Sequence, residues 1–109
     1  MAAQLGSGKI SQEETLKTEI NLIIKNEVGL HARPASLFVK TANKYQSKIM
    51  VRNVTRDGKA VSAKSILSVL TLAVLCNHEI HLEADGEDAE AAIAELKQLI
   101  ESDFNEAAA

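Results

Sequence analysis

Apolar residues fall at every second position in several stretches of this chain. Ile20, Leu22 and Ile24 alternate with Glu19, Asn21 and Lys25, and Ile80, Leu82 and Ala84 alternate with Glu79, His81 and Glu83. A period of two puts successive side chains on opposite faces of an extended backbone, so each stretch predicts a strand with one buried face. Ile49 and Val51, alternating with Met50 and Arg52, predict another. Asp57-Gly58 is a turn signal, because glycine accepts positive φ, and a short strand over 59–62 follows it.

Elsewhere the period lengthens to that of a helix. Ala35, Phe38, Ala42 and Tyr45 share one face of a helix over 32–44. Ser65 is a good N-cap for a second helix over 66–75. Ala89, Ala92, Ile93, Leu96 and Ile100 form the stripe of a third, with Glu87, Asp88 and Glu90 suited to its positive end. The order β-α-β-β-α-β-α predicts an α+β fold: a two-layer, open-faced β-sandwich with helices on one face of an antiparallel four-stranded sheet. The second helix is apolar on nearly every side, from Ile66 to Leu75. A two-layer domain buries about half of a helix surface, so some of these side chains should stay exposed as a docking patch for a protein partner.

Composition narrows the function. The chain has 109 residues, enough for one core, which we place at 18–104. Residues 1–17 read as a flexible extension with little to bury, and 105–109 as a tail. Three aromatic residues and a net charge of −3 argue against nucleic-acid binding. Cys76 is the one cysteine, so no internal disulfide forms. No apolar run would span a membrane and no secretory signal is evident, so a cytoplasmic monomer is expected. His78 and His81 lie three apart on a strand and face opposite sides, so no metal and no cofactor are expected.

Candidate chemistry concentrates in Gly29-Leu30-His31-Ala32-Arg33-Pro34-Ala35. A loop histidine is ordinarily just solvated, but His31 directly precedes a helix start with proline in its first turn. It therefore sits at the helix's positive end, where N–H groups receive anions, with Arg33 alongside as a cationic clamp. That combination suits a histidine that holds a phosphoryl group.

This string, with Lys64-Ser65-Ile66-Leu67-Ser68-Val69-Leu70 downstream, resembles the HPr family of phosphocarriers of the bacterial phosphotransferase system. The resemblance covers about Ile20 to Phe104 and implies a sheet order of 1-4-2-3. It implies that His31 accepts a phosphoryl group from enzyme I, through Nδ1, and passes it to EIIA-type acceptors. The chain would be a carrier with a phosphohistidine intermediate rather than a stand-alone enzyme. Backbone N–H groups of Ala32 and Arg33 would cradle the phosphate, and the Arg33 guanidinium would offset its charge. Ser36, Lys40, Ile66, Leu67 and Leu70 would contact partners, and Ser65 would be phosphorylated by an HPr serine kinase/phosphorylase. Ser68 stands where the family usually has glycine, and Leu67 and Leu70 where methionine is common. Arg52-Asn53 and the ending Ile100 to Phe104 are similar to the nitrogen-regulatory branch, whereas Lys64-Ser65-Ile66 is similar to the kinase-regulated sugar branch. A regulatory relative that acts by protein binding rather than sugar uptake therefore stays open beside the sugar carrier.

Overall fold

The computed structural model describes residues 16–105, so most of the expected extension and tail lie outside the described residues. The elements follow the expected order: β1 (Lys17–Ile23), α1 (Ala32–Ala42), β2 (Lys48–Asn53), β3 (Val61–Ser62), α2 (Ile66–Thr71), β4 (Glu79–Asp85) and α3 (Ala89–Glu101). The four strands form one antiparallel sheet in the order β1-β4-β2-β3. Lys17 already belongs to β1, paired with Asp85. The alternation fixes the register's facing: Leu22, Ile49, Val51, Ile80, Leu82 and Ala84 are all buried under the helices. The alternate positions form an open face that is polar and charged except for Ile23 and Met50.

Helices α1 and α3 pack together, and α3 lies across β1 and β4. Phe38, Leu96 and Ile100 are fully enclosed between the layers, each stabilising the fold by about 1.5–3 kcal/mol. A side-chain bridge joins the layers at one end. Asp88 precedes α3 but does not cap it; its carboxylate accepts from the N–H groups of Gln46 and Ser47 at 2.8 and 2.9 Å, and from the Ser47 hydroxyl. Those bonds, the hydroxyl's foremost, favour the ionised carboxylate and hold the Asp88 pKa below its ordinary value. Among the described residues, no helix is long and apolar enough to cross a membrane.

Three local expectations are corrected. Helix α1 stops at Ala42, because the Asn43 side chain donates to the Val39 carbonyl at 2.9 Å and closes the last turn; Tyr45 lies beyond it. Helix α2 stops at Thr71 instead of running to Leu75. Ala73 turns to φ 51°, and the buried Asn53 amide donates to the Leu72 carbonyl at 3.1 Å, so the chain leaves the helix with that acceptor satisfied. In the β2–β3 connection the positive φ falls on Asp57, at 54°, and not on Gly58, whose N–H returns to the Asn53 carbonyl. Asp tolerates that conformation, and the longer loop leaves β3 only two residues.

Candidate functional site

His31 is the N-cap of α1, with extended backbone at φ −144° and ψ 160°. Its side chain makes no capping hydrogen bond and is exposed. The first turn of α1 contains no acidic residue, so the helix's positive end is not neutralised from within. Ala32 follows with φ 51°. That region disfavours residues bearing a Cβ by roughly 1–2 kcal/mol, so the turn at His31 is strained and its surroundings must hold it. Arg33 and Ser36 are exposed on the first turns of α1 and Lys40 further along, while Ala35 and Phe38 anchor the opposite side in the core.

The restraint on His31 comes from backbone bonds on its N-terminal side. Leu30 is buried, and its N–H donates to the Val74 carbonyl at 2.9 Å. Gly29 adopts φ 66° and presses on the same segment; a Cβ there would lie 2.1 Å from the Val74 oxygen. The Asn26 side chain donates to the Gly29 carbonyl at 2.8 Å and closes the turn. The 72–78 segment is braced in its turn by Asn53. Its amide donates to Leu72 and lies 3.2 Å from His78 Nδ1, and its oxygen accepts from the Arg56 N–H at 3.2 Å. His78 Nδ1 also accepts from the Leu75 N–H at 3.1 Å.

Asn53 and Val74 are therefore supports that sequence reasoning missed. A signal for Asn53 exists: it falls on the buried phase set by Ile49 and Val51, where a polar residue needs partners. Nothing in the sequence marks Val74, which acts through its carbonyl, or Ala32, since alanine is not a left-handed former.

Ser65 lies at the other end of α1 from His31. It caps α2 as expected, its hydroxyl accepting from the Ser68 N–H at 3.3 Å. Asn43, at the C-terminal end of α1, donates to the Lys64 carbonyl at 3.1 Å, and Lys64 Nζ donates to the Tyr45 carbonyl at 2.6 Å. The twelve residue steps from His31 to Asn43 span about 18 Å of helix axis. His31 and Arg33 thus share one end, and Ser65 belongs to the other. Between them α2 exposes Leu67 at 74% and Ile66 at 39%, whereas Leu70 is half-buried against the core. Leu75 and Val28 are also exposed, on the two segments that meet at Gly29.

Comparison with known proteins agrees with this geometry. The family model for the PTS HPr component phosphorylation site matches residues 18–102. The phosphocarrier protein HPr of Borreliella burgdorferi is 48% identical over 80 residues, covering 73% of this chain and 90% of that protein. The multiphosphoryl transfer protein of Vibrio cholerae is 45% identical over 83 residues, which is 76% of this chain but 21% of that protein. The chain thus spans between 21% and 28% of the length of the multiphosphoryl transfer proteins it matches, and 90% of the Borreliella HPr protein. Among solved structures, HPr of Thermoanaerobacter tengcongensis superposes with a TM-score of 0.77 at 48% identity, covering 82% of this chain and 97% of that one. With that family match and the sheet order 1-4-2-3, the chain belongs to the HPr family of the phosphotransferase system.

Proposed function

We propose that this chain is a phosphocarrier that receives a phosphoryl group on His31 from enzyme I and delivers it to EIIA-type acceptors. In each transfer the donor's phosphoramidate N–P bond breaks as the acceptor atom bonds to phosphorus. The observation that carries the reading is His31 itself: an exposed side chain on a braced backbone, making no capping bond, at the positive end of α1. The N–H groups of Ala32 and Arg33 would receive the phosphate oxygens, and the Arg33 guanidinium would oppose their charge. No cofactor is required on the carrier, since the partner brings the other half of the site. Exposed Ser36, Lys40, Ile66 and Leu67 are the contacts we assign to partners, with Leu70 serving the core as well.

The test is incubation with enzyme I and phosphoenolpyruvate. The parent should gain one acid-labile phosphate, and His31→Ala should gain none while keeping its thermal midpoint, because an exposed loop side chain contributes little burial. Full-rate labelling of His31→Ala would overturn the assignment. A regulatory role for Ser65 is a further part of the proposal, supported by its cap geometry at the entrance to the exposed face of α2. Treatment with an HPr serine kinase and ATP should modify Ser65 and slow phosphotransfer without loss of stability.

A further inference from the structure

We propose that Glu19, His81 and Glu83 form a binding site for a first-row divalent metal ion of the zinc class on the open face of the sheet. The site is independent of His31. The register places Glu19 directly opposite Glu83 on β1 and β4. Like charges facing each other across a strand pair disfavour pairing, so a cation between them suits the fold. His81 stands two residues before Glu83 on the same face of β4. One ligand atom from each of the three residues lies within 4.8 Å of the others. A tetrahedral zinc site with bonds near 2.0–2.2 Å separates its ligand atoms by about 3.4 Å, so small side-chain rotations close the set. His81 Nε2 and Glu19 Oε1, at 3.0 Å, are already near that spacing.

The hydrogen bonds around His81 turn its ring toward this role. Asn21 Nδ2 donates to Glu79 Oε2 at 2.6 Å, which leaves Asn21 Oδ1 facing His81 Nδ1 at 2.6 Å. Both nitrogens of the ring therefore face acceptors, Asn21 on one side and Glu19 on the other. A neutral imidazole has one N–H. Given to Asn21, it leaves the Nε2 lone pair facing Glu19 Oε1, with Glu83 in the same cluster, an arrangement that a metal ion between them would satisfy. An imidazole held through its second nitrogen by an oxygen acceptor is the usual outer support of a metal-ligating histidine.

One nitrogen and two carboxylates form a borderline set suited to zinc, cobalt or nickel, with water completing the shell. The side chains of Glu19, Glu83 and His81 are 49%, 33% and 25% exposed, so the ion can enter from solution. Two cations of the protein face the cluster. Lys17 Nζ lies 3.4 Å from Glu83 and is itself 42% exposed, so it can turn away, and Arg52 pairs with His81 from β2. His78, expected on the same strand, instead precedes β4 in a loop and bonds Asn53 and Leu75; the partners of His81 come across the strands, where spacing in sequence does not reveal them.

The full chain, freed of metal with chelator, is titrated with zinc chloride by calorimetry, and its thermal midpoint is followed in parallel. The parent should bind one zinc at this cluster and melt at a higher temperature with zinc than without. Glu19→Gln, Glu83→Gln and His81→Gln should each weaken that binding at least tenfold, and Asn21→Ala about tenfold. His31→Ala should leave the cluster's zinc binding unchanged, and the ring signals of His81 should shift with added zinc. Each variant's metal-free midpoint reports its folding, and the Gln variants at Glu19 and Glu83 keep the test open if His81→Gln is unstable. Zinc binding that survives the Glu19, Glu83 and His81 substitutions, or the lack of any zinc effect on the parent, would overturn the site. The latter result would leave His81 as a hydrogen-bonded bridge between Glu19 and Asn21.

Discussion

Replacing Gly29 by alanine tests how His31 is held. Alanine in the left-handed region loses about 1–2 kcal/mol against glycine. The new Cβ would stand 2.1 Å from the Val74 oxygen and 2.8 Å from the Leu75 Cα, where ordinary contact begins at 3.4 Å. Both are backbone atoms, so no rotamer change relieves the clash, and the two segments must part by more than about 1 Å. That separation breaks the bond from the Leu30 N–H to the Val74 carbonyl, leaving a buried donor unsatisfied at about 1–3 kcal/mol. Alanine also restricts the unfolded chain, which returns about 0.4–1 kcal/mol. The net loss is about 2–4 kcal/mol. For a domain of this size each kcal/mol moves the melting midpoint by roughly 4–8 °C, so differential scanning calorimetry should show a fall of at least about 8 °C. Phosphoryl acceptance by His31 should slow even at temperatures where the variant is folded, because the displaced loop carries the histidine. A fall under about 3 °C with normal transfer would refute the claim that this close approach positions His31.

Asn53→Ala should destabilise the chain by about 2–3 kcal/mol in urea titration, since the Leu72 carbonyl and the Arg56 N–H lose their partner; a change under about 0.5 kcal/mol would refute the bracing role. Leu67→Glu should leave stability within about 0.5 kcal/mol while slowing transfer from enzyme I, as stopped-flow or quench kinetics would show; an unfolded variant would place Leu67 in the core. Glu95 is held below its ordinary 4.5 by the Lys44 ammonium and then the Tyr45 hydroxyl, so its contribution is present above that value and lost as pH falls through the depressed folded value. Acid titration of Glu95→Gln should therefore show a shallower loss of stability below pH 4.5 than the parent does, and parallel curves would discount the bond. The same bond pushes the Tyr45 hydroxyl up to about 12, which spectrophotometric titration of this single tyrosine can read directly.

What was legible in the sequence follows from which interactions are local. The strands announced themselves because Ile20 and Leu22, Ile80 and Leu82, and Ile49 and Val51 alternate, and burial follows that alternation. His31 was legible because helix-start chemistry is written in adjacent residues, as was the Ser65 cap. Helix α2 was overextended because Leu72 to Leu75 look helical in composition. Its end is set instead by an amide from β2, nineteen residues away from Leu72. The cluster of Glu19, His81 and Glu83 was invisible for the same reason, being made by strand register across more than sixty residues.

The two ends of α1 are held by different means, and this bears on how they can communicate. At His31 the contacts are backbone to backbone, through Leu30, Gly29 and Val74. At the far end they run from side chain to backbone, through Asn43 and Lys64. Ser65 follows Lys64, which is bonded to Asn43 at the end of α1 about 18 Å along the axis from His31; at such a separation a unit charge interacts through water with energy of about 0.2 kcal/mol before salt screening. At physiological ionic strength the Debye length is about 8 Å, and even that small effect largely vanishes. Direct repulsion therefore cannot slow chemistry at His31. A modification of Ser65 can act strongly only on a surface that begins beside it and that a partner must cover to reach His31. The exposed side of α2, led by Ile66 and Leu67, begins there, and the segment leaving α2 ends against Gly29. If Ser65 is modified as proposed, its effect on this geometry is a matter of who can dock rather than of altered reactivity at His31.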